Sequence, residues 1–166
     1  MWSELGLTRG AKFAAVVATS LTLAACASQQ DNAGMNGAGG AGAATPGSQQ
    51  DFVVNVGDRV FFQNDSSELT GEARGTLDRQ AVWLGKYPRY AVTVEGHADE
   101  RGTREYNIAL GARRAAATRD YLISRGISST RLKTISYGKE RPVAVCDAES
   151  CWSQNRRAVT VLNGAN

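Results

Sequence analysis

Gly96-His97-Ala98-Asp99-Glu100-Arg101-Gly102, continued through Tyr106-Asn107 and Leu110 to Arg113-Arg114-Ala115, joins two regular patterns of different period. Just before it, Tyr90 to Glu95 alternates in the manner of a strand, with Val92 and Val94 on one face. After it, Leu110, Ala117 and Tyr121 fall near one face of a helix that Gly126 ends. The stretch is therefore a strand-to-helix junction that carries a carboxylate, guanidinium groups and an amide. In sheets of this kind, ligands bind at the carboxyl ends of strands, where loops part to form a crevice. An acid and a base placed there suit a ligand bearing both an ammonium and a carboxylate. Gly111 bears on how Asp99 and Arg114 meet. A glycine inside a helix costs about 1 kcal/mol relative to alanine, so the sequence predicts a break there. A fresh helix near Leu110-Gly111 would leave Arg114 in its first turn, its guanidinium joining free backbone N–H groups around an anion. Spacing alone leaves a second reading open, in which Asp99 and Arg114 form an ion pair that only buttresses the loop.

The elements around the junction read as one globular domain from Asp51 to the end at Asn166. Val53 to Val56 and Arg59 to Phe62 are short apolar runs suited to strands, separated by Gly57-Asp58. Thr70 is placed to cap a helix, with Glu72 in its first turn. Ala73, Leu77, Ala81 and Leu84 recur at helical spacing, and Pro88 closes that helix. Leu132 to Tyr137 reads as a strand ended by Gly138, and Ala158 to Leu162 as the last one, after a loop with Pro142 and two cysteines. The order β-α-β-α-β-loop-β predicts an α+β sandwich with the helices on one face of a small mixed sheet.

The N-terminal quarter has a different character. Arg9 and Lys12 precede an apolar run from Phe13 to Leu23, the pattern of a signal peptide over residues 1–25. That run is shorter than the ~20 apolar residues a bilayer span requires. It ends in Leu23-Ala24-Ala25-Cys26, which resembles a bacterial lipobox and implies a lipidated Cys26 as the mature N-terminus. Several acyl chains together hold a protein at a membrane almost permanently, at about 0.8 kcal/mol per buried CH₂. Ala27 follows the cysteine, and the resemblance implies sorting to the outer membrane. Ala27 to Gln50 is rich in Gly, Ala, Ser, Asn and Gln, so residues 26–50 read as the lipidated cysteine and a flexible tether.

The formal charge of +3 falls to +2 once Glu4, Arg9 and Lys12 leave with the signal. So mild an excess argues against nucleic acid and against a polybasic membrane patch. With Cys26 consumed by lipid, Cys146 and Cys151 form an even pair, which in an exported protein reads as a disulfide. His97 is the chain's single histidine, too little for a zinc site. At a strand end it reads as a hydrogen-bonded structural residue. Trp83 and Trp152 read as packing residues, and at least one of Arg156 and Arg157 as a hydrogen-bond donor fixing a loop.

The run EGHADERGTREYNIALGARRAAATRDYL, with Ser136-Tyr137-Gly138-Lys139-Glu140-Arg141-Pro142 and Asn155-Arg156-Arg157-Ala158-Val159, resembles the signature of the OmpA-like domain family over Val56 to Leu162. In particular it resembles the lipoproteins of the Tol-Pal system. The resemblance implies a nonenzymatic domain that binds peptidoglycan noncovalently at its diaminopimelate residue. Asp99 and Arg114 would hold the amino-acid head, with Arg101, Asn107 and Leu110 completing the pocket. It further implies an outer-membrane anchor with its domain in the periplasm, partners in TolB and the other Tol proteins, and a role in envelope integrity and in membrane constriction at division. No cofactor is implied beyond the lipid on Cys26. Two features depart from the family: Gln63-Asn64-Asp65 stands where acidic residues are common after the strand aromatics, and the Cys146–Cys151 pair is not general. The competing class is a wall hydrolase using Asp99 and Glu100. Neighbouring carboxylates need not face each other across a bond, and nearby positive charge lowers an acid's pKa rather than raising it.

Overall fold

The structure, a computed structural model, describes residues 44–165. The signal, Cys26 and most of the tether lie outside the described residues. Four strands form one mixed sheet: β1 (Arg59–Phe61), β2 (Tyr90–His97), β3 (Leu132–Gly138) and β4 (Arg157–Ala165). Their order is β1-β4-β2-β3, with β4 antiparallel to both neighbours and β2 parallel to β3. Helix α2 (Gly71–Lys86) connects β1 to β2, and α3 (Arg104–Ser124) makes the crossover between the parallel pair. Val92 and Val94 of β2, with Ala158 and Leu162 of β4, join Leu77 and Leu84 of α2 and Ala115 and Leu122 of α3 in one core. Thr160, between the two β4 core residues, donates to Gln80 of α2 at 2.8 Å, so both helices cover the same face. Lys133 and Ile135 of β3 are exposed on the other face.

The local signals acted largely as expected. Thr70 caps α2 through a bond from the Ala73 amide at 3.1 Å, and Gly126 turns the chain after α3 with φ 93°. Three expectations give way to tertiary constraints. Val53 to Val56 is not a strand: a helical turn α1 (Gln49–Asp51) runs into a π-type turn over Phe52–Val56. Ser48 caps α1, the Asp51 carboxylate takes the Trp83 indole N–H at 2.9 Å, and Phe52 is buried against that indole. These anchors override the strand preference of the valines, of which Val53 and Val54 are exposed. The same contacts show that packed chain begins ahead of Asp51, since Gly47 is buried and lies against the Tyr87 ring. A short helix, α4 (Glu149–Asn155), occupies the expected loop before β4, and a disulfide ties its Cys151 to Cys146 just ahead of it.

The third correction concerns Gly111, which interrupts nothing. Helix α3 runs unbroken through it, and Arg114 sits in mid-helix rather than in a first turn. The glycine serves a close approach instead. A methyl group on Gly111 would stand 2.9 Å from the Gly96 carbonyl oxygen, and one on Gly96 would overlap the Gly111 carbonyl. The cost of a helical glycine is thus offset by the depth at which α3 beds onto β2 and β3. Gly111→Ala should therefore destabilise the domain by about 2 kcal/mol or more, although alanine favours a helix by about 1 kcal/mol. Denaturant unfolding checks this, and a stabilised variant would contradict the close-approach reading.

Candidate functional site

The junction opens at one end of the sheet, where the loop after β1, the loop after β2 and the first turns of α3 meet. Gly102, at φ 85°, turns the chain from β2 toward α3, and Thr103 caps the helix by accepting the Tyr106 amide at 3.2 Å. That cap places Tyr106, Asn107 and Leu110 on the helix side of a cleft of about 300 Å³. Asn64 and Asp65 line it from the β1 loop, and Asp99 and Arg101 from the β2 loop.

The charges are ordered more tightly than the sequence indicates. Asp99 accepts two bonds from the Arg101 side chain, at 2.6 and 3.2 Å, and one from the Arg101 amide at 3.2 Å. Arg156, itself buried, approaches the same carboxylate at 3.4 Å while bonding the Phe62 carbonyl at 3.1 Å. Burial opposes ionisation of Asp99, but the bonds and charge of Arg101, with Arg156 behind it, together hold the carboxyl below its usual value. Such an acid stays ionised and serves poorly as a proton donor. Glu100 is turned elsewhere, accepting the Trp152 indole N–H at 2.9 Å.

Arg114 does not reach the cleft. Its side chain is 0 % exposed. It donates to three backbone carbonyls: His97 at 2.8 Å, Ser66 at 2.8 Å and Gln63 at 3.2 Å. Among the described residues no hydrogen bond or ion pair joins Asp99 to Arg114, so the alternative reading of the two as a buttressing ion pair gives way to Asp99 with Arg101 and Arg156. Burial lowers the Arg114 pKa to about 10, against the favourable charge of Asp99, so the guanidinium remains charged at neutral pH. Arg114 is a clamp on the two loops whose outer residues line the cleft.

Asn107 lines the cleft, and its amide donates to the Arg101 carbonyl at 2.7 Å. The sequence marked Asn64 and Asp65 only as a departure from the family and gave Tyr106 no role, yet all three line the cleft. Asn64 accepts from Arg101 at 2.6 Å, and the Tyr106 hydroxyl donates to the Asp65 carboxylate. No cation lies within ion-pair distance of Asp65 among the described residues. The available signals were the four-residue spacing of Tyr106 and Leu110 on one helix face, and the position of Asp65 in a loop at a strand's carboxyl end. The cleft thus presents one carboxylate without a cation and one guanidinium with donors to spare, an arrangement matched to a zwitterion.

The pattern of the OmpA family matches residues 61–157. The chain is 70% identical over 150 residues, 88% of its length and 84% of the relative's, to the peptidoglycan-associated lipoprotein of Rhizobium meliloti. It is 66% identical to that of Mesorhizobium japonicum, covering 96% of this chain and 95% of the relative. The chain belongs to the OmpA family, among its peptidoglycan-associated lipoproteins. The fold agrees with the crystal structure of the peptidoglycan-associated lipoprotein from Burkholderia pseudomallei, at TM-score 0.62 and 39% identity over 64% of this chain and 90% of that one. It also agrees with the C-terminal domain of Helicobacter pylori MotB, at TM-score 0.61 and 26% identity over 64% of this chain and 84% of that one. The OmpA-like α+β fold is that of the sequence expectation.

In this OmpA-family domain, His97 sits directly behind the site and its carbonyl accepts from Arg114. The ring is 2 % exposed, and neither nitrogen has a hydrogen-bond partner among the described residues. The hydrogen-bonded ring the sequence led us to expect is therefore not found; Glu95 lies 3.8 Å away and the Tyr137 ring beside it. Burial first, then the charges of Arg157 and Arg141, push its pKa down to about 4. The unfolded chain takes up this proton as pH falls through about 6.5, the folded chain only near 4, so stability is full above 6.5 and declines below it. Between pH 6.5 and 5 the sole histidine should impose a loss of roughly 1 kcal/mol per pH unit. Denaturant unfolding at stepped pH should show that slope in the native sequence and lose it in His97→Gln.

Proposed function

We propose that this protein is a nonenzymatic outer-membrane lipoprotein whose domain faces the periplasm and binds diaminopimelate-containing stem peptides of peptidoglycan without a covalent bond. The observation that carries the reading is the pairing, in one cleft, of the cation-free Asp65 carboxylate with the partly exposed Arg101 guanidinium. Diaminopimelate in a stem peptide offers a free amino-acid head, an ammonium and a carboxylate on one carbon. Asp65 takes the ammonium, with Asp99 as a second acid lining the cleft, and Arg101 takes the carboxylate. Leu110 meets the aliphatic chain. Asp99 and Arg114, which the family resemblance assigns to the head itself, act here by aligning Arg101 and fixing the Gln63–Ser66 loop.

Cys26 supplies the lipid anchor and the segment after it the reach. Many weak sites spread over a polymer give firm attachment through effective concentration, while each remains reversible. Reversibility fits membership in the Tol-Pal system, where TolB would compete with the wall for this protein and let it be relocated during envelope constriction. The names of the relatives support the peptidoglycan reading, and the family resemblance supports the Tol partners.

Two experiments test the proposal. Calorimetric titration with the tripeptide L-Ala-γ-D-Glu-meso-diaminopimelate should show binding that falls tenfold or more in Asp65→Asn, since charged hydrogen-bonded contacts are worth about 2 kcal/mol or more. Asp65 is exposed, so the variant should keep its thermal midpoint; unchanged affinity in the folded variant would refute the site. Separately, Cys26→Ser should leave the protein soluble in the periplasm, and membrane fractionation that still finds it tightly bound would remove the lipid anchor.

A further inference from the structure

Behind Arg101 stands a segment that the proposed binding does not use. Helix α4 presents Trp152 to the guanidinium, whose central carbon lies 4.2 Å from the indole centroid. The same indole donates to Glu100 at 2.9 Å, so one side chain grips the two residues that follow Asp99. One turn earlier, Glu149 accepts from Arg156 Nη1 at 3.3 Å, and Arg156 is the second cation on Asp99. Both guanidinium groups that face Asp99 are thus held from behind by α4.

Helix α4 has little strength of its own. It spans seven residues, and its N-cap, Ala148, offers no side-chain bond; helices that short are not stable in isolation. Two features fasten it. The Cys146–Cys151 bond closes the turn that enters it, immediately before Trp152. At its far end the buried Asn155 side chain accepts the Val143 and Ala144 amides at 2.8 and 3.2 Å and donates to the Ala144 carbonyl at 2.7 Å.

We propose that Trp152 is a positioning residue of the binding site, holding Arg101 for the ligand carboxylate, and that the Cys146–Cys151 bond keeps Trp152 in place. Arg101 spends its Nε on Asp99 and its Nη2 on Asp99 and Asn64, whereas its Nη1 donates to nothing among the described residues. With the indole under its face, the guanidinium is fixed edge-outward, and the unspent Nη1 hydrogens remain for an incoming carboxylate. A guanidinium ordered in advance loses less freedom when it binds. This assignment rests on the cleft being the diaminopimelate site.

The test uses purified full-length protein in detergent, titrated calorimetrically with the same tripeptide. Trp152→Ala should weaken binding by about fivefold to thirtyfold, the range a cation–π contact supplies. Trp152→Phe keeps a ring face and should recover most of that loss. In an Arg101→Ala background, Trp152→Ala should cost nothing further. Replacing both Cys146 and Cys151 with Ser should weaken the native sequence and leave Trp152→Ala unchanged. Equal affinity of the native protein and Trp152→Ala overturns the positioning role, and an undiminished loss in the Arg101→Ala background overturns its route through Arg101. A double serine variant that binds like the native protein overturns the part given to the disulfide. If the native protein does not bind the tripeptide, the diaminopimelate reading fails by itself. The positioning claim is then decided by NMR relaxation of the Arg101 Nε–H: its order parameter drops in Trp152→Ala if the stack holds the side chain, and an unchanged value overturns the claim.

Discussion

The buried Arg114 guanidinium, donating to the carbonyls of Gln63, Ser66 and His97, is the constraint on which the functional end of the domain depends. Those carbonyls belong to the loop after β1 and to the last residue of β2, two segments that the insertion of β4 keeps from pairing directly. A single rigid fork fixed to α3 ties both. Loops of this kind carry backbone carbonyls that neither helix nor sheet satisfies, and a buried one left unpaired costs about 1–3 kcal/mol. A charged, planar donor settles three of them at once, and its own desolvation is tolerable because Asp99 lies within Coulombic range. The result is that Asn64 and Asp65 hold their places relative to Asp99 and Arg101 before any ligand arrives.

Where that fork sits is decided by the packing of α3. Gly96 and Gly111 let helix and strand backbones approach more closely than any side chain permits. Ser136 of β3 adds to the bed by donating to the Ile108 carbonyl at 2.7 Å. One turn beyond Gly111, Arg114 is thereby pressed into the end of the sheet, and one turn before Leu110, Tyr106 reaches over to Asp65. The glycines and the arginine are consequently parts of one device: depth of seating sets the reach of the clamp, and the clamp sets the loops.

The sequence carried the parts of this that are local. Apolar patterning marked α2, α3 and all four strands, and Thr70 and Gly126 marked helix ends, because capping and alternation are written in neighbouring residues. It misplaced what depends on distant partners. The valines of 53–56 follow strand preference in isolation, and only Trp83 and the Ser48 cap turn them aside. Gly111 read as an interruption because helix propensity is visible in one dimension and a facing strand is not. Arg114 reads from the sequence as a ligand-holding residue, whereas its partners in the structure are carbonyls 17, 48 and 51 residues away, which no side-chain pattern announces. The sequence assigned Asp65 and Tyr106 no site role for the same reason: they meet across 41 residues through a loop and a helix. The family resemblance correctly conveyed the fold, since a fold is recorded by many positions at once.

The charge order of the cleft explains why so polar a site avoids collapsing on itself. Two guanidinium groups, Arg101 and Arg156, bond Asp99 and a third, Arg114, lies within Coulombic range, an excess that would repel if it were not divided among other acceptors. Arg114 is spent on carbonyls, and Arg156 is shared between Phe62 and Glu149, leaving Arg101 as the cation that both binds Asp99 and faces the opening. Asp65 stays out of this network because the Tyr106 phenol, rather than a cation, occupies it. The Asp65 carboxylate raises the pKa of that phenol, which keeps its proton and remains a donor. A zwitterion entering the cleft would therefore exchange a hydrogen bond from a neutral donor for an ion pair at Asp65 and would add to, rather than displace, the bonds of Arg101. Neither end would require an existing salt bridge to be broken, so a small, partly open cleft built this way would favour paired opposite charges while releasing them readily.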